Sequence, residues 1–167
     1  MAKSCFTLPG LNCSDCRMNT LCLPLSLHAH EIGELDEIIS RGRPVHKDDY
    51  IYHNGSSFNS LYAVRSGAVK TYIVDDNGHE QVTGFHIPGE VFGFDGLGEK
   101  HHRNSAIALE TSAICEVPYD KLTELSQSIP ALQQRLMNLM GEEIIEGQEL
   151  LTLLSKKSAE ERVATLL

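Results

Sequence analysis

The sequence lacks an apolar run long enough to cross a membrane, which takes about 20 residues. Its opening, "MAKSCFTLPG", holds no sustained apolar stretch, and "LCLPLSL" is short and broken by Pro24, so no signal peptide is read. Positive charge is scarce: 14 Lys and Arg stand against 23 Asp and Glu, a formal net charge of -9. Phosphate binding runs on Lys and Arg, so the chain by itself should not grip DNA. Internal repeats and low-complexity tracts are absent. No nucleophile–base set or paired carboxylates in a suitable context appear, so an enzyme is not expected.

What is present begins with "NCSDCRMNTLC". It places Cys13, Cys16 and Cys22 in the spacing C-x2-C-x5-C, out of five cysteines in all. A soluble, cytoplasmic chain keeps its thiols reduced, and an odd number fits a disulfide framework poorly. At 167 residues and 41% hydrophobic, the chain can bury a core without disulfide staples. Metal or redox chemistry is the leading reading of the triplet. A C-x2-C pair brings two thiolates to one centre, and Cys22 can add a third. Tetrahedral metals and iron–sulfur clusters want four ligands. Cys5 and Cys115 remain; from spacing alone, Cys115 is either a distant fourth ligand or a buried apolar residue. Spacing does not choose between zinc and iron–sulfur, although three close cysteines and one distant one suit a cluster somewhat better.

Along the chain, 1–27 reads as a loop. "HAHEIGELDEIISRG" predicts a helix with Ile32, Leu35, Ile38 and Ile39 on one face and Gly42 as its stop. From Arg43 to Val117 the period changes to two. In "SLYAVRSGAVKTYIV", Val69, Thr71 and Ile73 share one side and Lys70 and Tyr72 the other. Asn77-Gly78 is a strong hairpin signal and Pro88-Gly89 a second turn. "NSAIALE" and "SAICEV" read as two more strands, and many short strands suggest an antiparallel sandwich or barrel. "VPYDKLTELSQS" is a short helix. A long helix from Ala131 to Leu154 carries two apolar stripes. Leu132, Leu136, Leu139, Leu150 and Leu153 can face the barrel. Met137, Met140, Ile144, Gly147, Leu151 and Leu154 form a heptad seam, most simply for a second copy. "SKKSAEERVATLL" predicts the start of a further helix, with Ser158 and Glu161 as a capping box. A truncated chain or a missing C-terminal domain is therefore expected.

Four stretches carry a family resemblance: "CSDCRMNTLCLPLSL", "LYAVRSGAVKTYIVDDNGHEQVTGFHIPGE", "HHRNSAIALETSAICEVPY" and "LLTLLSKKSAEER". Through them nearly the whole chain resembles the FNR-type oxygen-sensing transcription regulators of the CRP/FNR superfamily. The resemblance implies a jelly-roll, cyclic-nucleotide-binding-like β-barrel with flanking helices over 28–128. It implies a cysteine-rich cluster loop over 1–27 and a dimerisation helix over 129–155. It also implies the start of a DNA-binding domain over 156–167. It implies a [4Fe–4S] cluster on Cys13, Cys16, Cys22 and Cys115, converted by oxygen to [2Fe–2S] and then lost. Cys5 falls outside the matched set. The implied partners are a second copy, DNA through the missing domain, and RNA polymerase, which relatives contact through a loop matching the Asn77-Gly78 turn.

In cyclic-nucleotide binders of the superfamily, a Glu and an adjacent Arg-Ser pair hold the ribose and phosphate. Here Phe94 lies near the Glu position, and Arg103 and Ser105 are not adjacent, so no cyclic nucleotide is expected. His101-His102 is read as a solvated loop. Arg17 stands where members often have a small residue, either beside the cluster or pointing to water. Gly147 stands where many members carry Asp. A zinc-stabilised binding module without redox sensing is the alternative.

Overall fold

The computed structural model describes residues 12–156, with side chains through Thr152. Two four-stranded antiparallel sheets face each other, with three helices along one side. Helix α1 spans Ala29–Ile38. Strands follow at β1 Ser40–Arg41, β2 Tyr50–Tyr52, β3 Ser60–Ser66, β4 Val69–Val74, β5 Glu80–His86, β6 Val91–Phe92, β7 Ser105–Ala108 and β8 Ala113–Pro118. Helices α2, Tyr119–Ser128, and α3, Pro130–Lys156, complete the order. One sheet runs β1-β8-β3-β6 and the other β2-β7-β4-β5, the double-sheet arrangement of a jelly roll.

Two cores follow. Tyr52, Val64, Val69, Phe92 and Ala106 fill the space between the sheets. Leu35, Leu61, Val117, Leu122, Leu132, Leu136 and Leu139 join the first sheet to the helices, and Leu23 of the cysteine loop is buried among them. Leu132, Leu136 and Leu139 thus face the barrel as expected, while Leu150 is half-buried. The side chains of Leu153 and Leu154, the residues 1–11 with Cys5, and the Ser158–Glu161 box lie outside the described residues.

Three sequence expectations change. Helix α1 stops at Ile38, not at Gly42, because Ser40 and Arg41 leave the helix to pair with Glu116 and Cys115 of β8. The stretch 60–74 is two strands in different sheets, divided at Gly67. That glycine has φ +87°, and a Cβ there would lie 2.2 Å from the Ser112 Oγ. The alternation predicted for 69–73 also fails. A bulge between Thr71 and Tyr72 turns both side chains inward, and Ile73 faces outward.

The two predicted turns are in place. Asp75 accepts hydrogen bonds from the amides of Asn77 (2.9 Å) and His79 (2.8 Å), and Gly78 and Gly89 take the positive φ that a turn there requires.

Candidate metal centre on the cysteine loop

Residues 12–27 form no helix or strand. Successive turns carry them, with amide donations from Cys16 to the Cys13 carbonyl (3.3 Å), Asn19 to Cys16 (3.1 Å) and Cys22 to Met18 (2.9 Å). Such turns keep three thiols of a short segment on one inner side. The loop lies over the first sheet where Cys115 of β8 sits between Arg41 of β1 and Ala63 of β3. Cys13, Cys16, Cys22 and Cys115 therefore line a single cavity of about 470 Å³, counted to its open mouth. Met18, Leu23, Ile39, Val64 and Val117 make its wall mainly apolar, and Arg41 and Arg65 are its two cations.

The loop is fastened at both ends. At the Cys13 end, Asp36 of α1 accepts a hydrogen bond from the Cys13 amide (2.6 Å) and is ion-paired with Arg41. Arg41 also donates to the Cys13 Sγ (3.2 Å). Burial works against the charge of Asp36, but the Cys13 amide and Arg41 outweigh it and hold the carboxyl below its ordinary range. At the Cys22 end, Arg135 of α3 donates to the Leu21 and Cys22 carbonyls.

Burial pushes the Cys13 thiol up to about 12 and the Cys22 thiol up to about 11, and it raises Cys115 as well. Without a ligand these thiols hold their protons at neutral pH. Metal binding must displace those protons, and Arg41, with Arg65 near Cys115, supplies positive charge that favours the resulting thiolates. Among the described residues, no three His, Cys, Asp or Glu side chains converge closely enough to grip a single ion. Four cysteine thiols lining one cavity with a mainly apolar wall are a donor set that fits a thiolate-ligated centre, zinc or iron–sulfur.

Other residues singled out in the sequence fall elsewhere. Arg17 is exposed and does not line the cavity. His102 is not solvated: it is 2% exposed, stacks on Tyr52 at 3.7 Å, and contacts Asp95 through Nδ1 at 3.1 Å. Asp95 also accepts from the amides of Arg103 and Asn104, both at 2.8 Å, and so ties down the 99–104 loop. Arg103 is exposed and paired with Glu99. Of the seam residues, Met137, Ile144 and Leu151 lie on the outer face of α3 and are 60%, 61% and 68% exposed. Met140 is half-buried against the core and Gly147 is exposed.

Asp36, Arg41 and Arg135 carry no sequence signal. They meet the loop across 23, 28 and 113 or more positions, and no periodicity marks such encounters.

A second cavity, about 770 Å³ counted to its mouth, separates the β5–β6 turn from α3. Leu21, His86, Glu90, Arg135, Leu139 and Glu142 are among its lining residues.

Residues 42–128 match the family model described as a cyclic nucleotide-binding domain. The chain is 48% identical over 160 residues to the transcriptional activator protein Anr of Pseudomonas aeruginosa, covering 96% of this chain and 66% of the relative. It is 45% identical over 158 residues to the fumarate and nitrate reduction regulatory protein of Escherichia coli K12, covering 95% and 63%. Among solved structures, FixK2 of Bradyrhizobium japonicum superposes with a TM-score of 0.71 at 28% identity, over 77% of this chain and 64% of that one. The chain thus spans about two thirds of the length of these curated relatives, which are named as regulators and not as enzymes. The chain belongs to the cyclic nucleotide-binding domain family, as an FNR-type member of the CRP/FNR superfamily.

Proposed function

We propose that this chain is the sensory and dimerisation region of an oxygen-responsive, cytoplasmic transcription regulator. It would hold a [4Fe–4S] cluster through Cys13, Cys16, Cys22 and Cys115. The observation that carries this reading is the single cavity that those four thiols line. When bound, the cluster supplies an inorganic core that oxygen can oxidise and dismantle. The chain's own residues do the rest. Cys115 joins the loop to the barrel, Arg41 and Asp36 orient Cys13, and the apolar wall limits water at the centre.

The seam Met137, Met140, Ile144, Gly147, Leu151 and Leu154 would pair with a second copy, since Met137, Ile144 and Leu151 face water on one helix and such a stripe needs a partner. Holding or losing the cluster would bias that monomer–dimer balance. DNA and RNA polymerase are partners of the longer protein in this reading. In this reading cyclic nucleotide is not a ligand, because Phe94 stands near the position of the ribose-holding Glu and Arg103 and Ser105 are not the adjacent Arg-Ser pair.

Protein isolated without oxygen tests the reading. It should be brown, with broad visible absorbance that air bleaches. A colourless protein carrying one stoichiometric zinc would establish the zinc-stabilised module instead.

A further inference from the structure

The cysteine loop packs Leu23 against the buried leucines of α3, and it also meets that helix through one polar side chain, Arg135, that nothing in the proposed chemistry requires. The Arg135 Nη2 donates to the Leu21 carbonyl at 2.7 Å, and its Nε points to the Cys22 carbonyl at 3.4 Å. Its Nη1 lies 3.6 Å from a carboxylate oxygen of Glu142, two turns further along α3. The side chain is only 11% exposed, so these carbonyls do work that water would otherwise do. A guanidinium suits this task because its donors lie in one rigid plane and can hold two acceptors and an anion at once.

Leu21, 57% exposed, is touched from its other side by Gly89, which at φ +98° lies so close that a Cβ there would come within 2.9 Å of the Leu21 Cβ. Arg135 thus clamps the peptide joining Leu21 to Cys22 to α3, and the barrel's β5–β6 turn meets Leu21 from the other side.

The place of Arg135 on the helix gives the clamp its meaning. At about 100° per residue, Arg135 stands about 180° around α3 from Ile144. The loop therefore holds the back of the helix whose front carries the seam. A shift of the Cys22 end reaches α3 directly, and a stiff helix passes a tilt or a slide to its opposite face.

We propose that Arg135 is the positioning residue that couples the cysteine centre to the dimer seam. It fixes the Cys22 end of the loop against α3, so that the state of the centre decides how α3 presents Met137, Ile144 and Leu151. The inference rests on the function proposed above and assigns its transmission to one side chain.

The test compares wild type, Arg135→Met and Arg135→Lys, each prepared without oxygen and again after the cluster has been stripped. Met keeps the length and helix preference of Arg but none of its donors. Lys keeps one charge without the planar fork. Iron and sulfide content, the dimer dissociation constant by sedimentation, and amide exchange over 18–27 are read on every sample. Wild type should dimerise about tenfold or more tightly when loaded than when stripped, the size of an ordinary allosteric coupling. Arg135→Met should take up the same iron and sulfide, yet its loaded-to-stripped ratio should fall to within about threefold. The amides of Leu21 and Cys22, both bonded to the Met18 carbonyl, should exchange faster in it, even without a cluster. Arg135→Lys should fall between, and it carries the test if the Met variant does not fold.

An undiminished ratio in a loaded Arg135→Met overturns the inference and leaves the function standing. So does loss of the cluster in Arg135→Met, because Arg135 would then be building the centre and not relaying it. A wild type that holds its cluster with no change in dimerisation overturns the switch and the inference together.

Discussion

His86 shows how one half-buried side chain sets a pH limit on the fold. Its ring stacks on Phe92 at 4.8 Å and meets the Thr71 hydroxyl at 3.2 Å. Burial lowers its pKa from the ordinary 6.5 to about 4, against a weaker upward pull from Asp95. The unfolded chain therefore binds a proton near pH 6.5 that the folded one refuses until about pH 4. Stability is full above pH 6.5 and falls as pH drops through that window, by up to about 3 kcal/mol. Urea unfolding at steps from pH 7 to pH 4 should show a steeper loss in wild type than in His86→Gln; parallel curves would mean that the ring is hydrated.

His102 carries the matching lesson about reading a sequence. Beside His101, in a run of polar and charged residues, it has the surroundings of a loop residue. It is buried because Tyr52, fifty positions earlier, offers a ring at 3.7 Å and Asp95 offers a carboxylate. Neither partner is adjacent in the chain, so local pattern could not find it.

At the scale of elements, long periodic segments were legible and short irregular ones were not. On helix α3 the apolar spacing sorts Leu132, Leu136 and Leu139 to the buried side and Met137, Ile144 and Leu151 to the exposed side, while Met140 and Leu150 are half-buried. The strand from Val69 carries a bulge that shifts the inside and outside of every residue beyond it. A period-two reading has no means of seeing an extra residue.

The outer stripe of α3 supports a prediction of its own. Gly147 has nothing within 4 Å of a Cβ position in the single chain, so Asp fits there without a clash. In a parallel pair about a two-fold axis, a seam residue faces its own copy, and two carboxylates would meet. Their repulsion is on the order of 1 kcal/mol or more in a partly dry seam. Glycine avoids that repulsion, although it costs roughly 1 kcal/mol per chain in helix preference relative to Ala. Cluster-free wild type should therefore stay more dimeric than cluster-free Gly147→Asp at matched concentration. Equal sedimentation of the two would show that charge at this position does not govern pairing.

For the whole molecule, charge and architecture point the same way. A net charge of -9 gives no basic surface for phosphates, and the chain spans only about two thirds of its curated relatives. In an anaerobic gel shift the chain, even with its cluster, should not retain duplex DNA specifically. Specific retention would reveal a DNA-reading element within these 167 residues.

The cysteine centre was legible in unequal parts. The crowding of Cys13, Cys16 and Cys22 made metal or redox chemistry the leading reading by spacing alone. The four-ligand count left Cys115 open between a distant ligand and a buried apolar residue, and only the family resemblance chose the first, since the sheet has to fold before β8 lies beneath the loop. The central claim is that Cys115 completes the centre from the barrel side. It is tested most directly by iron and sulfide analysis of Cys115→Ser, prepared without oxygen beside wild type and Cys16→Ser. Wild type should carry iron and sulfide in the amounts of one [4Fe–4S] cluster per chain, and Cys115→Ser should carry as little as Cys16→Ser. Full iron in Cys115→Ser would contradict the account.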